Sequence, residues 1–186
     1  MELTRLKREV RYRGRVIDLI VDQVEYPSGA TSVREIAHHP GGSAIVPLFD
    51  DGRVMLIKQL RYPFGKHIFE IPAGKLSSGE NPEAAAAREL EEETGWRAGS
   101  LHHLTSVYTT PGFCDEVIHI FLGRQLTEAG GGHRREEGEF TMTVSVLPLP
   151  GALAMIRKGE IHDAKTIIGL LLAERFSPSQ GVPDVT

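Results

Sequence analysis

A single cysteine, Cys114, and a single tryptophan, Trp96, occur in the 186 residues of the chain. One thiol excludes an intrachain disulfide and fits a reducing compartment. No apolar run approaches the ~18 residues that a membrane-spanning helix needs, and the opening MELTRLKREVR lacks an apolar signal region. The expectation is a cytoplasmic protein with no membrane partner. Cations are outnumbered as well. The 21 Lys and Arg against 25 Asp and Glu give a formal net charge of −4, which argues against a surface that coats nucleic acid. There is no internal repeat, and the His pairs at 38–39 and 102–103 lack zinc spacing. Gly130-Gly131-Gly132 lacks the Lys-Ser/Thr of a phosphate loop, and no serine sits in a nucleophile elbow. Cys114 has no base beside it in sequence and reads as a packing residue.

What is present is an ordinary globular composition, 40% apolar and 25% charged. The length suits one domain, or one domain with an appendage, around a sizeable core. Residues 1–11 are strongly charged and read as a flexible arm or a first strand. Arg15 to Tyr26 is rich in β-branched residues, Pro27-Ser28-Gly29 turns, and Thr31 to Ala37 continues as a strand. His38-His39-Pro40-Gly41-Gly42 punctuates before the next unit. Ser43 to Phe49 reads as a buried strand, Val54 to Leu60 as its return, and His67 to Ile71 as a third, after a loop from Arg61 to Lys66. Leu101 to Tyr108 and Val117 to Leu122 are strands flanking the turn TTPGFCDE. Gly130 to Glu139 is a polar loop and Phe140 to Leu149 another strand. Leu153 to Lys158 forms a short helix, and Ala164 to Phe176 a longer one with Ile167, Ile168, Leu171 and Leu172 inward. Residues 177–186 read as a flexible tail. Strands with a central and a C-terminal helix imply an α/β layered domain.

The most informative stretch is Gly74 to Trp96. Asn81 suits an N-cap, Pro82 the first helical position and Glu83 the positive end of the dipole; Gly95 is placed to end the helix in a left-handed cap. Within this helix Glu89, Glu91, Glu92 and Glu93 crowd together with Arg88 the only nearby cation. Glu89, Glu92 and Glu93 share one stripe, while Ala86 and Leu90 face the apolar side. Like charges one turn apart destabilise a helix, and they do so here at the pole that prefers cations. Such crowding calls for an external positive charge, which a hard divalent cation, Mg²⁺ or Mn²⁺, supplies. Glu89 and Glu93, one turn apart, suit a metal best, with Glu92 a third contributor.

Gly74, Glu80, Arg88, Glu89, Leu90, Glu92, Glu93, Gly95 and Trp96 occupy nine positions across 23 residues. Their spacing resembles the Nudix box, with Trp96 where an aliphatic residue is more usual. The resemblance implies a Nudix α/β/α sandwich with a mixed sheet over residues 40–176, preceded by an N-terminal β extension over 1–39. It implies hydrolysis of a nucleoside diphosphate linked to another moiety, and metal ligation by the Ala73 carbonyl besides Glu89, Glu92 and Glu93. Gly74, Glu80, Arg88 and Gly95 take structural parts in the motif. With the helix carboxylates on metal, a base must come from elsewhere, and the acidic loop Glu136, Glu137, Glu139 is the source. Similarity to the ADP-ribose pyrophosphatase branch implies Glu137 as base, Glu136 as its near equal, and Glu139 as a metal ligand.

Pro111, 15 residues beyond Trp96, and Pro111-Gly112-Phe113-Cys114-Asp115-Glu116 resemble that same branch. So do Gln59-Leu60-Arg61 and Glu70-Ile71-Pro72-Ala73-Gly74. The resemblance implies that Arg61 contacts phosphate and Glu70 sugar or adenine, with Gly112 and Phe113 also at the substrate. The N-terminal extension resembles one exchanged between the subunits of a homodimer, where Arg15, Val16 and Arg34 would reach the partner's adenosine site. The expected reaction is Mg²⁺-dependent cleavage of ADP-ribose to AMP and ribose 5-phosphate. The alternatives are a broader nucleotide-sugar hydrolase acting on substrates such as GDP-mannose, and a non-catalytic ADP-ribose-binding module.

Overall fold

The charged N-terminus is a strand. β1 (Thr4–Arg13), β2 (Asp18–Glu25) and β3 (Thr31–His38) form an antiparallel sheet in the order β1-β2-β3. The charges do not prevent this, because they pair across and along the strands. The buried Asp22 accepts from Arg8 Nε and Nη2 at 2.7 and 2.6 Å, and Glu9 is flanked by Lys7 and Arg11. The structure, a computed structural model, describes residues 2–130 and 141–176. They divide into two compact units, one within Met1–Gly41 and Tyr108–Val117, the other within Gly42–Val107 and Ile118–Thr186. In the first, the turn that carries Phe113 to Asp115 is laced to the end of β3. The Ala37 N–H donates to the Phe113 carbonyl at 2.8 Å, and Asp115 accepts from the His38 ring and the His39 amide at 2.6 and 2.8 Å.

The second unit is built around β4 (Gly42–Pro47), which is buried throughout. Around it lie β5 (Arg53–Arg61), β6 (Lys66–Glu70), β7 (Ala73–Lys75), α1 (Pro82–Thr94), β8 (Trp96–Tyr108), β9 (Val117–Glu128), β10 (Thr143–Pro148), α2 (Leu149–Arg157) and α3 (Ala164–Ala173). One sheet runs β7-β4-β9-β8, with β4 parallel to β9 and antiparallel to β7; a second runs β10-β5-β6. Because strand side chains alternate, β4 serves two layers at once. Ile45 faces Ala86, Leu90 and Phe121 on the α1 side. Ala44 and Val46 join Ile71, Ile120 and Leu122 with Leu153 of α2 and Leu170 of α3 on the other. This is the expected α/β/α sandwich with a mixed sheet.

Several element limits move. The helix expected from Leu153 starts at Leu149, since Pro150 falls in its first turn, where a missing N–H costs nothing. The strands expected at Leu101 and Val117 are longer, and β7, unread in the sequence, exists by pairing with β4. The inward face of α3 is corrected in part, since Ile167 and Ile168 do pack against the core. Leu171 is exposed, and the buried line is Lys165, Thr166, Gly169, Leu170 and Ala173. Gly169 sets this rotation, because a Cβ there would stand 2.8 Å from Val46 Cγ2 and 3.1 Å from Ile71 Cδ1, so small residues carry the closest approach to the sheet. Beyond α3 the chain tightens into a 3₁₀ turn, Glu174–Phe176. Most of the expected polar loop, Phe140 and the tail at 177–186 lie outside the described residues. No helix among the described residues is long and apolar enough to cross a membrane.

Candidate active site

α1 begins and ends as its sequence dictates. The Asn81 side chain accepts from the Glu83 and Ala84 amides at 2.8 and 3.3 Å, and Gly95 closes the helix at φ 76°. The Ser43 hydroxyl donates to the Pro82 carbonyl at 2.6 Å, fixing the helix start to β4. With Leu90 sunk in the core, Glu89 and Glu93 are drawn in beside it and are only 8% and 2% exposed. Both carboxylates converge on β7. Glu93 Oε2 accepts from the Ala73 amide at 3.0 Å. Glu89 lies so close to Gly74 that a Cβ there would come 1.9 Å from its Oε1, so only glycine leaves room for this carboxylate.

Arg88 ties the motif together. Its Nε and Nη2 donate to Glu80 at 2.9 and 3.1 Å, its Nη1 to Glu89 and Glu92 at 2.7 and 2.9 Å, and its Nη2 also to the Lys75 carbonyl at 3.3 Å. The Arg88 hydrogen bonds and the Ser77 amide hold the Glu80 carboxyl down to about 2, well below its ordinary value. The native state binds this proton more weakly than the unfolded chain, so the stabilisation is complete above pH ~4.5 and fades as pH falls toward ~2. Glu80→Gln is therefore expected to lower the urea midpoint at pH 7, with the gap to wild type closing between about pH 4.5 and 2. A gap that stays constant across that range would contradict the pairing.

A second cluster joins β5, β6 and α3. Arg61 Nε and Nη2 donate to the two Glu70 oxygens at 2.6 and 2.7 Å, the bidentate geometry of a guanidinium–carboxylate pair. Glu70 is 1% exposed and also accepts from Lys165 Nζ, whose other partner is Asp163 Oδ1 at 3.0 Å. Burial pushes the Glu70 carboxyl up, but Arg61 and Lys165 outweigh it and hold the group below its usual value. Arg61 is the most exposed member of this cluster, its side chain 40% exposed.

Seven expected residues thus come together: Ala73, Gly74, Glu80, Arg88, Glu89, Glu92 and Glu93. Arg61 and Glu70 form the neighbouring pair just described. Arg15, Val16, Arg34, Gly112 and Phe113 belong to the first unit. There Arg34 donates to the Tyr26 hydroxyl and to Ser32 and stacks over the Tyr26 ring at 5.7 Å, while Val16 and Phe113 are exposed. Glu136, Glu137 and Glu139 lie outside the described residues. Sequence reasoning missed Asp163, Lys165 and Thr166, and only the burial of a charged residue in α3 distinguishes them.

Among the described residues no three His, Cys, Asp or Glu side chains surround one point as a ready cation site. The donor chemistry nevertheless fits a hard divalent cation. Glu89, Glu92 and Glu93 supply anionic oxygens from one helix end, and Gly74 keeps the space into which Glu89 reaches.

A helix carrying buried carboxylates against a glycine in β7, inside an α/β/α sandwich, defines a known class: the chain belongs to the NUDIX family, whose domain model matches residues 38–167. It is a Nudix hydrolase, of a family that works with divalent metal ions. It is 44% identical to the ADP-ribose pyrophosphatase of Bacillus subtilis (strain 168), over 89% of each chain. It is 42% identical to the methanol dehydrogenase activator of Bacillus methanolicus, again over 89% of each. A crystal structure of an ADP compounds hydrolase superposes with a TM-score of 0.83 over 98% of both chains at 21% identity, a likeness of fold.

Proposed function

We propose that this protein is a Mg²⁺-dependent ADP-ribose pyrophosphatase, with Mn²⁺ able to substitute, that yields AMP and ribose 5-phosphate in the cytoplasm. The observation that carries the reading is the convergence of Glu89 and Glu93 on Ala73 and Gly74. Their chemistry is that of a pyrophosphatase, and the activity named for the Bacillus subtilis relative supplies the substrate. Ala73, Glu89, Glu92, Glu93 and Glu139 would hold the cation. When bound, it would offset the diphosphate charge and make water a better nucleophile. Glu137, with Glu136 as its near equal, takes the proton from the attacking water. Arg61 forks onto phosphate oxygens; Glu70, expected at sugar or adenine, is 1% exposed with both oxygens taken, and instead holds Arg61 in place from behind. Arg88 braces Glu80 against the helix and keeps Glu89 and Glu92 aimed the same way.

Residues 1–39 are assigned as the extension that forms a homodimer, and 40–176 as the hydrolase domain. In that dimer Arg15, Val16 and Arg34 reach the adenosine site of the partner protomer, and Gly112 and Phe113 contact substrate. A second reading, a broader nucleotide-sugar hydrolase that includes GDP-mannose, is favoured by one observation. The sole tryptophan, Trp96, packs edge-on against Phe49 at 5.1 Å between ring centres, so it is committed to the core and not to a base. A panel of nucleotide sugars assayed with purified protein decides between them. The proposal expects kcat/KM for ADP-ribose to exceed that for GDP-mannose by about tenfold or more, a difference of ~1.4 kcal/mol in transition-state binding. Equal values would reject the specificity, and no turnover of any member would reject the enzyme.

A further inference from the structure

The first turn of α3 reaches back 95 residues to grip the segment that leads into β7. Asp163, the N-cap, accepts from the Thr166 amide and hydroxyl through Oδ2, at 3.0 and 2.6 Å, and from Lys165 through Oδ1 at 3.0 Å. Thr166 Oγ1 in turn accepts from the Ile71 amide at 2.9 Å, while Lys165 Nζ donates to Glu70. Side chain and following peptide of Glu70 are thus both held by one helical turn. Two residues further on, the Ala73 amide is held by Glu93. The segment between them is clamped by the first turn of α3 at Glu70 and Ile71 and by the acidic end of α1 at Ala73.

Lys165 is an expensive residue to place there. It is 8% exposed, and burying an ammonium is unfavourable unless it is paired and hydrogen-bonded. An apolar side chain at a buried α3 position would suit the core better, so stability alone gives little reason for it. Charge gives one. Arg61 and Lys165 together balance Glu70 and Asp163. Without Lys165 the cluster would carry net negative charge directly behind the Arg61 guanidinium.

We propose that Lys165 and Asp163 are positioning residues for the diphosphate. Lys165 neutralises Glu70 and holds its Oε2, and Asp163 holds the Lys165 ammonium in place, so that the Arg61 guanidinium keeps both its orientation and its effective charge toward a phosphate. This rests on the assignment of Arg61 to phosphate binding made above. Lys165 and Asp163 do not touch substrate. They act through Glu70, and their effect belongs to binding of the anionic substrate more than to the chemical step.

The test is steady-state kinetics with ADP-ribose at saturating Mg²⁺, together with calorimetric affinity for its methylene-bridged, non-hydrolysable analogue. Lys165→Met is expected to raise KM and the analogue Kd about 10- to 100-fold, the size of one lost charge-assisted hydrogen bond. Its kcat should stay within about threefold, since the lost interaction is common to ground and transition states. Adding Glu70→Gln to Lys165→Met removes the excess negative charge and should recover part of the affinity, which a merely structural lysine would not permit. KM and Kd unchanged in a folded Lys165→Met protein would overturn the proposal, even if its melting temperature falls. Should that variant fail to fold, Asp163→Asn keeps the helix cap and leaves Lys165 on Glu70 with one positive charge in excess; it is expected to lower KM and the analogue Kd, and no shift or a rise overturns the proposal. Arg61→Ala separates the two possible failures. If KM rises there but not in Lys165→Met, only the positioning role is wrong; if it rises in neither, the phosphate assignment of Arg61 is wrong as well.

Discussion

Glu93→Gln is expected to lower kcat/KM for ADP-ribose by about 10³-fold or more, the size of several kcal/mol of lost charge stabilisation. The fold should survive. The Glu93 carboxylate is 2% exposed and accepts from the Ala73 amide at 3.0 Å, a bond that a glutamine carbonyl can also accept. Removing one of three acidic neighbours relieves like-charge repulsion of roughly 0.2–0.5 kcal/mol per pair, which offsets part of the weakened hydrogen bond. The metal-free variant should therefore melt near the wild-type temperature while turning over almost nothing. Scanning calorimetry beside a product assay checks both halves. Full activity in Glu93→Gln would remove the ground for placing a cation at this helix end.

Gly74→Ala carries the second large effect, and it comes from space. A Cβ at this position would stand 1.9 Å from Glu89 Oε1, 2.1 Å from Cδ and 2.5 Å from Oε2. No rotation of a methyl group avoids that, so the Glu89 carboxylate must leave. Glu89 is buried and bonded to Arg88 at 2.7 Å, and its departure also disturbs the link from Arg88 to Glu92. Activity is expected to fall by about 10²-fold or more, as when one preorganised group is lost from a site. Overpacking of this kind should lower stability by about 1–3 kcal/mol. Urea unfolding and the same product assay read the two effects. A variant with wild-type kcat/KM would show that Glu89 does not need its place against β7.

The contrast between α1 and α3 shows what the sequence could reveal. α1 was legible to the residue because its stop signals are local: Asn81 and Pro82 at the start, Gly95 at the end. Its acidic stripe was legible because Glu89, Glu92 and Glu93 fall within about one turn, whereas Glu91 lies off the stripe and pairs with Arg97. That Glu89 and Glu93 are buried, however, depends on where β7 lies, and β7 is three residues long and exists only by pairing with β4. In α3 the hydropathy pattern placed Ile167 and Ile168 against the core correctly but also took in Leu171, which is exposed. The helix instead turns Gly169 to the sheet, and the contact of Lys165 with Glu70 spans 95 residues that no local pattern connects. The N-terminal charges were ambiguous for a related reason: a strand rich in Arg and Lys is stable only because Asp22 and Glu9 meet them.

Manganese binding tests the central claim most directly. Wild-type protein, Glu89→Gln and Glu93→Gln would each be titrated with Mn²⁺ in the presence of the non-hydrolysable ADP-ribose analogue, with bound ion followed by electron paramagnetic resonance. The account predicts binding to wild type and a loss of about tenfold or more in affinity for each variant, as expected when a ligand to a hard cation loses its charge. Equal affinity in all three proteins, or no binding to any, would contradict it.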